Sequence, residues 1–219
     1  MADSSHSLPR SLWLGLILVL PLICYAWLAS LHQLQLRRLP PLPVISQVAD
    51  FSLTNQDGLL TTLKDLTNHV WVADIVFTRC GGPCPRMTAQ MRSVQQLLPK
   101  NSQAQMVTLT TDPDFDTPAV MHKYAQHFGA DTSQWHFLTG TKAQIAALAS
   151  GSLKLSAVPV KPEDRKNDAD FFIHTTIFVV VDKHAQLRTF FETGGEGVDW
   201  TNSVEPRLLE TIRHLERQP

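Results

Sequence analysis

Cys80 and Cys84 stand four positions apart in the stretch Cys80-Gly81-Gly82-Pro83-Cys84-Pro85. Two thiols at that spacing can serve as a redox couple or as a pair of soft metal ligands. They follow the strand-like run Val70 to Phe77. They open a helical pattern from Cys84 to Leu98, with Pro85 in its first turn and Pro99 beyond its end. Amide N–H groups at a helix N-terminus stabilise thiolate over thiol. Thiolate is the form that ligates metal or attacks a disulfide, so this placement favours reactive sulfurs over an inert buried pair. The third cysteine, Cys24, lies in a separate apolar segment.

Two thiolates leave a tetrahedral structural zinc site incomplete. A further ligand would have to be one of nine histidines. His6 and His32 flank the apolar segment, His122 and His127 fall on a solvent-facing helix pattern, and His184 and His214 sit among turn and charged residues. His174 differs, because it directly precedes Thr175 to Asp182, a strongly apolar strand pattern. Alone, such a histidine reads as a strand-end hydrogen-bonding group; beside a cysteine pair it becomes a candidate ligand. Asp74 lies in the central strand pattern, on the face of Val72 and Val76. Buried there, its carboxyl would have a raised pKa and could pass protons to the cysteines. A hydrogen-bonded structural acid is the equal alternative. Asp112, Asp114 and Asp116 are too closely spaced for an EF-hand and read as turn and cap residues, with a share in a partner-facing rim.

These groups need a scaffold. Phe51 to Leu63, turning at Asn55-Gln56-Asp57-Gly58, predicts a hairpin. Val70 to Thr78 predicts a central strand and Ala104 to Thr111 a second. Thr117 and Pro118 start a helix that Gly129 stops. Thr141 to Ala149 is a shorter helix, Thr175 to Asp182 and Leu187 to Glu192 form a hairpin, and Glu205 to Arg217 is a terminal helix. Strands alternating with helices and finishing in a hairpin and a helix predict an α/β fold: a three-layer α/β/α domain with a thioredoxin-like order and an N-terminal hairpin.

The 219-residue chain carries 43% hydrophobic and 18% charged residues and a net charge of −1. That composition is globular and offers no electrostatic case for nucleic acid. Leu12 to Leu31 is uncharged and long enough to cross a bilayer as one helix. The expected organisation is therefore a tail at 1–11, an uncleaved transmembrane anchor at 12–31, a Pro-rich linker at 32–49 and a folded domain at 50–219. A single N-terminal span ahead of a whole domain places the protein in the inner (cytoplasmic) membrane, with the domain facing the periplasm.

The stretch Trp71 to Pro85, with Cys80 and Cys84, resembles the SCO/SenC family of membrane-anchored copper-binding proteins. So do Thr110 to Pro118, Leu138-Thr139-Gly140, and His174-Thr175-Thr176 ahead of an apolar strand. The resemblance covers roughly Phe51 to Glu216 and implies a thioredoxin-like fold. It also implies copper held by Cys80, Cys84 and His174, and a role in assembling the copper centre of cytochrome c oxidase. The implied partners are the copper-bearing oxidase subunit and other copper carriers. Two thiolates and an imidazole suit Cu(I); Cu(II) would favour a fourth ligand. The chain departs from the family pattern at Gly81-Gly82-Pro83, where many members carry polar residues, and at Ile173, where an acid is common. Beside the metallochaperone stands a membrane-anchored thiol-disulfide oxidoreductase acting through Cys80 and Cys84 without metal. A peroxidase or redox sensor ranks third, since it would need Arg79 aimed at a low-pKa cysteine.

Overall fold

The computed structural model describes Leu20 and residues 22–28, 42–155, 157–159, 172–174 and 176–218, with 157–159 and 172–174 described by their backbone. Leu20 and residues 22–28 are helical. Among the described residues no helix is long and apolar enough to cross a membrane; most of the expected 12–31 span lies outside them.

Residues from Leu42 onward form one compact unit. Its six-stranded sheet runs in the order β1 (Ser46–Gln47), β10 (Gln186–Glu192), β9 (Ile177–Val181), β4 (Trp71–Val76), β5 (Gln105–Thr110), β6 (Trp135–Leu138). β4, β5 and β6 are parallel, while β9 and β10 run antiparallel. β2 (Ser52–Thr54) and β3 (Leu60–Thr62) form the expected hairpin, turning at Gly58 with φ 78°. β7 (Ala157–Pro159) and β8 (Phe172–His174) form a second two-stranded sheet.

Every residue of β4 is buried, because helices cover both faces. Alternation sends Trp71, Ala73 and Ile75 to one layer, with α1 (Leu63–Leu66) and α4 (Lys142–Ala146), which widens into a π-helical segment at Ala147–Ser152. Val70 and Val72 face the other layer, where α2 (Pro83–Leu97), α3 (Pro118–His127) and α5 (Glu205–Glu216) supply Met87, Met91, Met121, Leu208 and Ile212. The three-layer α/β/α expectation therefore holds. Gly129, at φ 63°, follows α3 where the sequence predicts its stop.

Several elements differ from expectation. β6 and the β7–β8 pair were not anticipated: β6 is four residues long, too short to display a period. β1 and the buried Val48 lie upstream of the expected domain start at Asp50. Thr117 occupies the cap position of α3, but its side chain makes no capping hydrogen bond. The working caps are Thr141 with Gln144 ahead of α4, and Thr62 with Asp65 ahead of α1.

Candidate functional site

β4 ends at Val76, and the chain turns back at once: the Cys80 N–H donates to the Phe77 carbonyl at 3.1 Å. Gly81 and Gly82 follow, both exposed, and Pro83 begins α2, where a missing N–H costs nothing. Cys84 is thus in the first turn of α2 and fully buried; Cys80 lies just ahead of it and is 8% exposed. Val76, Phe77 and Tyr124 pack around the pair.

Both thiols are free, and each perturbs the ionisation of the other. The Gly82 N–H also points at Cys80 Sγ, at 3.4 Å. The neighbouring Cys84 thiol, and backbone N–H groups including that of Gly82, favour the thiolate and bring Cys80 down to about 6 despite partial burial. Cys84 moves the opposite way: the neighbouring Cys80 thiolate and burial both disfavour a second thiolate there. Cys80 is therefore the more acidic thiol of the pair. Iodoacetamide should modify Cys80 first, with a rate midpoint near pH 6, read by peptide mass mapping; equal labelling of both cysteines would contradict the assignment.

Asp74 sits where the strand pattern placed it. It is fully buried, its Oδ1 accepts from Thr108 Oγ1 at 2.7 Å, and Trp135 Nε1 donates to that same hydroxyl at 2.9 Å. Oδ2 has no partner. Burial dominates and raises the carboxyl to about 7. A negative Asp74 also pushes Cys84 up, which couples this acid to the thiol pair electrically. On the other flank, Thr88 Oγ1 donates to the Cys84 carbonyl at 3.0 Å, so the Tyr124 hydroxyl, 2.7 Å from Thr88 Oγ1, is the donor of that contact. Nothing in the sequence pattern singled out Tyr124 or Thr88.

His174 lies on β8, its backbone paired with Ala157; its side chain is outside the described residues. The antiparallel register pairs Trp71 with Val181 and Ala73 with Val179. Continued upward, it sets Thr176 level with Val76. The strand that follows His174 therefore begins at the sheet end where the cysteine turn begins. Among the described residues no three His, Cys, Asp or Glu side chains converge as a metal site. Arg79 is engaged elsewhere than a peroxidase arginine would be: its guanidinium pairs with Asp112 and lies 4.1 Å over the Phe115 ring. Asp114 pairs with Lys142 at the surface, whereas Asp116, expected at a turn or rim, is fully buried.

A reduced dithiol entering the first helix after the central strand of such a three-layer sheet defines a thioredoxin-like dithiol domain. Residues 43–207 match the SCO1/SenC family, and the chain belongs to it. A SCO1 protein homolog of Bacillus subtilis (strain 168) is 35% identical over 141 residues, 64% of this chain and 70% of that protein. The solved structure of BsSco is 26% identical, with a TM-score of 0.66, covering 81% of this chain and 98% of that one. BsSco is described as a member of the Sco family of cytochrome c oxidase assembly proteins in which a disulfide switch was identified. The fold is also that of Bradyrhizobium japonicum ScoI with copper bound, at 21% identity and a TM-score of 0.63, covering 78% of this chain and 99% of that one.

Proposed function

We propose that this protein is a copper metallochaperone that takes part in assembling the copper centre of cytochrome c oxidase. Cys80, Cys84 and His174 hold the ion, and a membrane anchor at 12–31 presents the domain to the periplasm. The recipients are the copper-bearing oxidase subunit and other copper carriers. The observation that carries this reading is a pair of free, buried cysteines at the turn from the central strand into α2, with the Gly82 N–H aimed at Cys80 Sγ. Support from relatives is of two kinds: BsSco is named for oxidase assembly, and the same fold houses copper in ScoI.

Copper is cargo here. Two thiolates and an imidazole prefer Cu(I), because soft sulfur selects the soft ion. Cys80 is ready as thiolate; Cys84 gives up its proton only when the ion arrives, so uptake releases protons. Asp74, half-ionised near neutrality, is the group placed to feel that proton leave. Release to a recipient then proceeds by thiolate exchange. The second reading, a thiol-disulfide oxidoreductase acting on a partner's cysteines, is favoured by the same Asp74–Cys84 coupling.

Anaerobic Cu(I) titration of the full-length chain in detergent, in a Cys24→Ser background, tests the first reading. One copper per chain is expected, lost in Cys84→Ser and weakened at least tenfold in His174→Ala (one ligand fewer, about 1.4 kcal/mol or more). Unchanged binding in His174→Ala would transfer the case to plain dithiol chemistry.

A further inference from the structure

The spacer between the cysteines consists of two exposed glycines and a proline, so no spacer side chain fixes Cys80 relative to Cys84. That position has to be set from the other side, through the turn Phe77-Thr78-Arg79-Cys80. Two consecutive residues of this turn are fastened to the loop that follows β5. The Thr78 N–H donates to Asp116 Oδ2 at 3.1 Å, and the Thr78 hydroxyl donates to Asp116 Oδ1. Asp116 Oδ2 also accepts from the Thr110 hydroxyl, and Thr110 Oγ1 accepts the Asp112 N–H at 3.0 Å. Arg79, next in line, is held by Asp112 and Phe115.

A buried carboxylate is a costly way to tie two loops, and apolar packing can replace buried charge without loss of stability. What a carboxylate supplies, and an amide does not, is acceptor capacity toward three converging donors. We propose that Asp116 is a positioning residue for the cysteine pair: it bolts Thr78 and thereby holds Cys80 within reach of Cys84. The inference deepens the copper reading and rests on it for the metal, while its consequence for dithiol chemistry is independent of copper.

Loosening the bolt lowers the effective concentration of one sulfur at the other. The internal disulfide then becomes easier to reduce. The test uses the full-length Cys24→Ser chain in detergent with Asp116→Asn and Thr78→Val. The melting temperature is recorded first; Cu(I) affinity by chelator competition and the equilibrium constant for reduction of the Cys80–Cys84 disulfide by dithiothreitol are then measured below the melting transition. Both variants should be reduced at least tenfold more readily and bind Cu(I) at least tenfold more weakly. If Asp116→Asn melts earlier but keeps the wild-type reduction constant, Asp116 merely stabilises the fold and the proposal fails. Should Asp116→Asn not fold, Thr78→Val decides by the same criterion. A wild-type chain that takes up no Cu(I) would refute the metallochaperone reading and leave the positioning role to be judged by reduction alone.

Discussion

Replacing Asp74 with asparagine is expected to remove about 2 kcal/mol of pH-dependent stability between pH 4 and pH 6. The folded carboxyl titrates at about 7 and the unfolded one near 3.8. Between those values the folded protein binds a proton that the unfolded chain has lost. Stability contributed by Asp74 is therefore fully present below the unfolded value and declines as pH rises toward 7. Half-buried His136 acts in the opposite sense, since desolvation lowers its pKa and folding then expels a proton. Cys80, with its lowered pKa, adds stability only above about 6. The difference between wild type and Asp74→Asn cancels both contributions, provided the cysteines are kept reduced. The asparagine carbonyl can still accept from Thr108, and its NH2 group occupies the place of the unpartnered Oδ2. Any cost of that amide is the same at every pH, so the slope carries the information. With a urea m-value of about 2 kcal/mol/M, the midpoint difference should change by roughly 1 M across the window. Parallel wild-type and variant curves would mean that Asp74 is already ionised in the folded protein. Thiol reactivity against pH tests its further role: an unchanged Cys80 profile in Asp74→Asn would remove Asp74 from proton transfer.

The cysteine turn was legible in the chain because its signals are local. An apolar run, two glycines and flanking prolines mark a strand, a tight turn and a helix start within sixteen residues, Val70 to Pro85. Asp74 was legible for the same reason, since alternation in one strand assigns its face. Asp116 was not. In sequence it is one of three acids beside a helix start; its burial depends on Thr110, the last residue of β5, and on Thr78, in the turn after β4, which meets it only once β4 and β5 pair in parallel. Tyr124 likewise acquires its place from the packing of α3 against α2. β1 was hidden by brevity: two residues carry no period, and only pairing with β10 defines them as a strand. Local chemistry is thus written locally, while the groups that hold it in place come from elements joined by the sheet.

Oxidation should switch the site off. Diamide takes two electrons and two protons from the thiols of Cys80 and Cys84, leaving one internal disulfide and the reduced hydrazine. The reaction is expected within the chain, because the two sulfurs lie in one buried cluster and Cys80 supplies the attacking thiolate at neutral pH. Cys24, exposed in its own segment, is replaced by serine to keep intermolecular links out of the measurement. The product should lose two hydrogen atoms in intact mass and resist iodoacetamide. Its copper uptake should fall to background, since a disulfide presents no thiolate and a lone imidazole remains. Linkage gives a second readout. Cu(I) at a thousandfold excess over its Kd stabilises the reduced protein by about 4 kcal/mol, whereas the oxidised protein gains nothing. Thermal denaturation with and without Cu(I) separates the two states, and dithiothreitol should restore the reduced response in full. Undiminished copper stabilisation of the oxidised protein would show that the ion is held elsewhere, and the thiol pair would then act on partner cysteines instead of on metal.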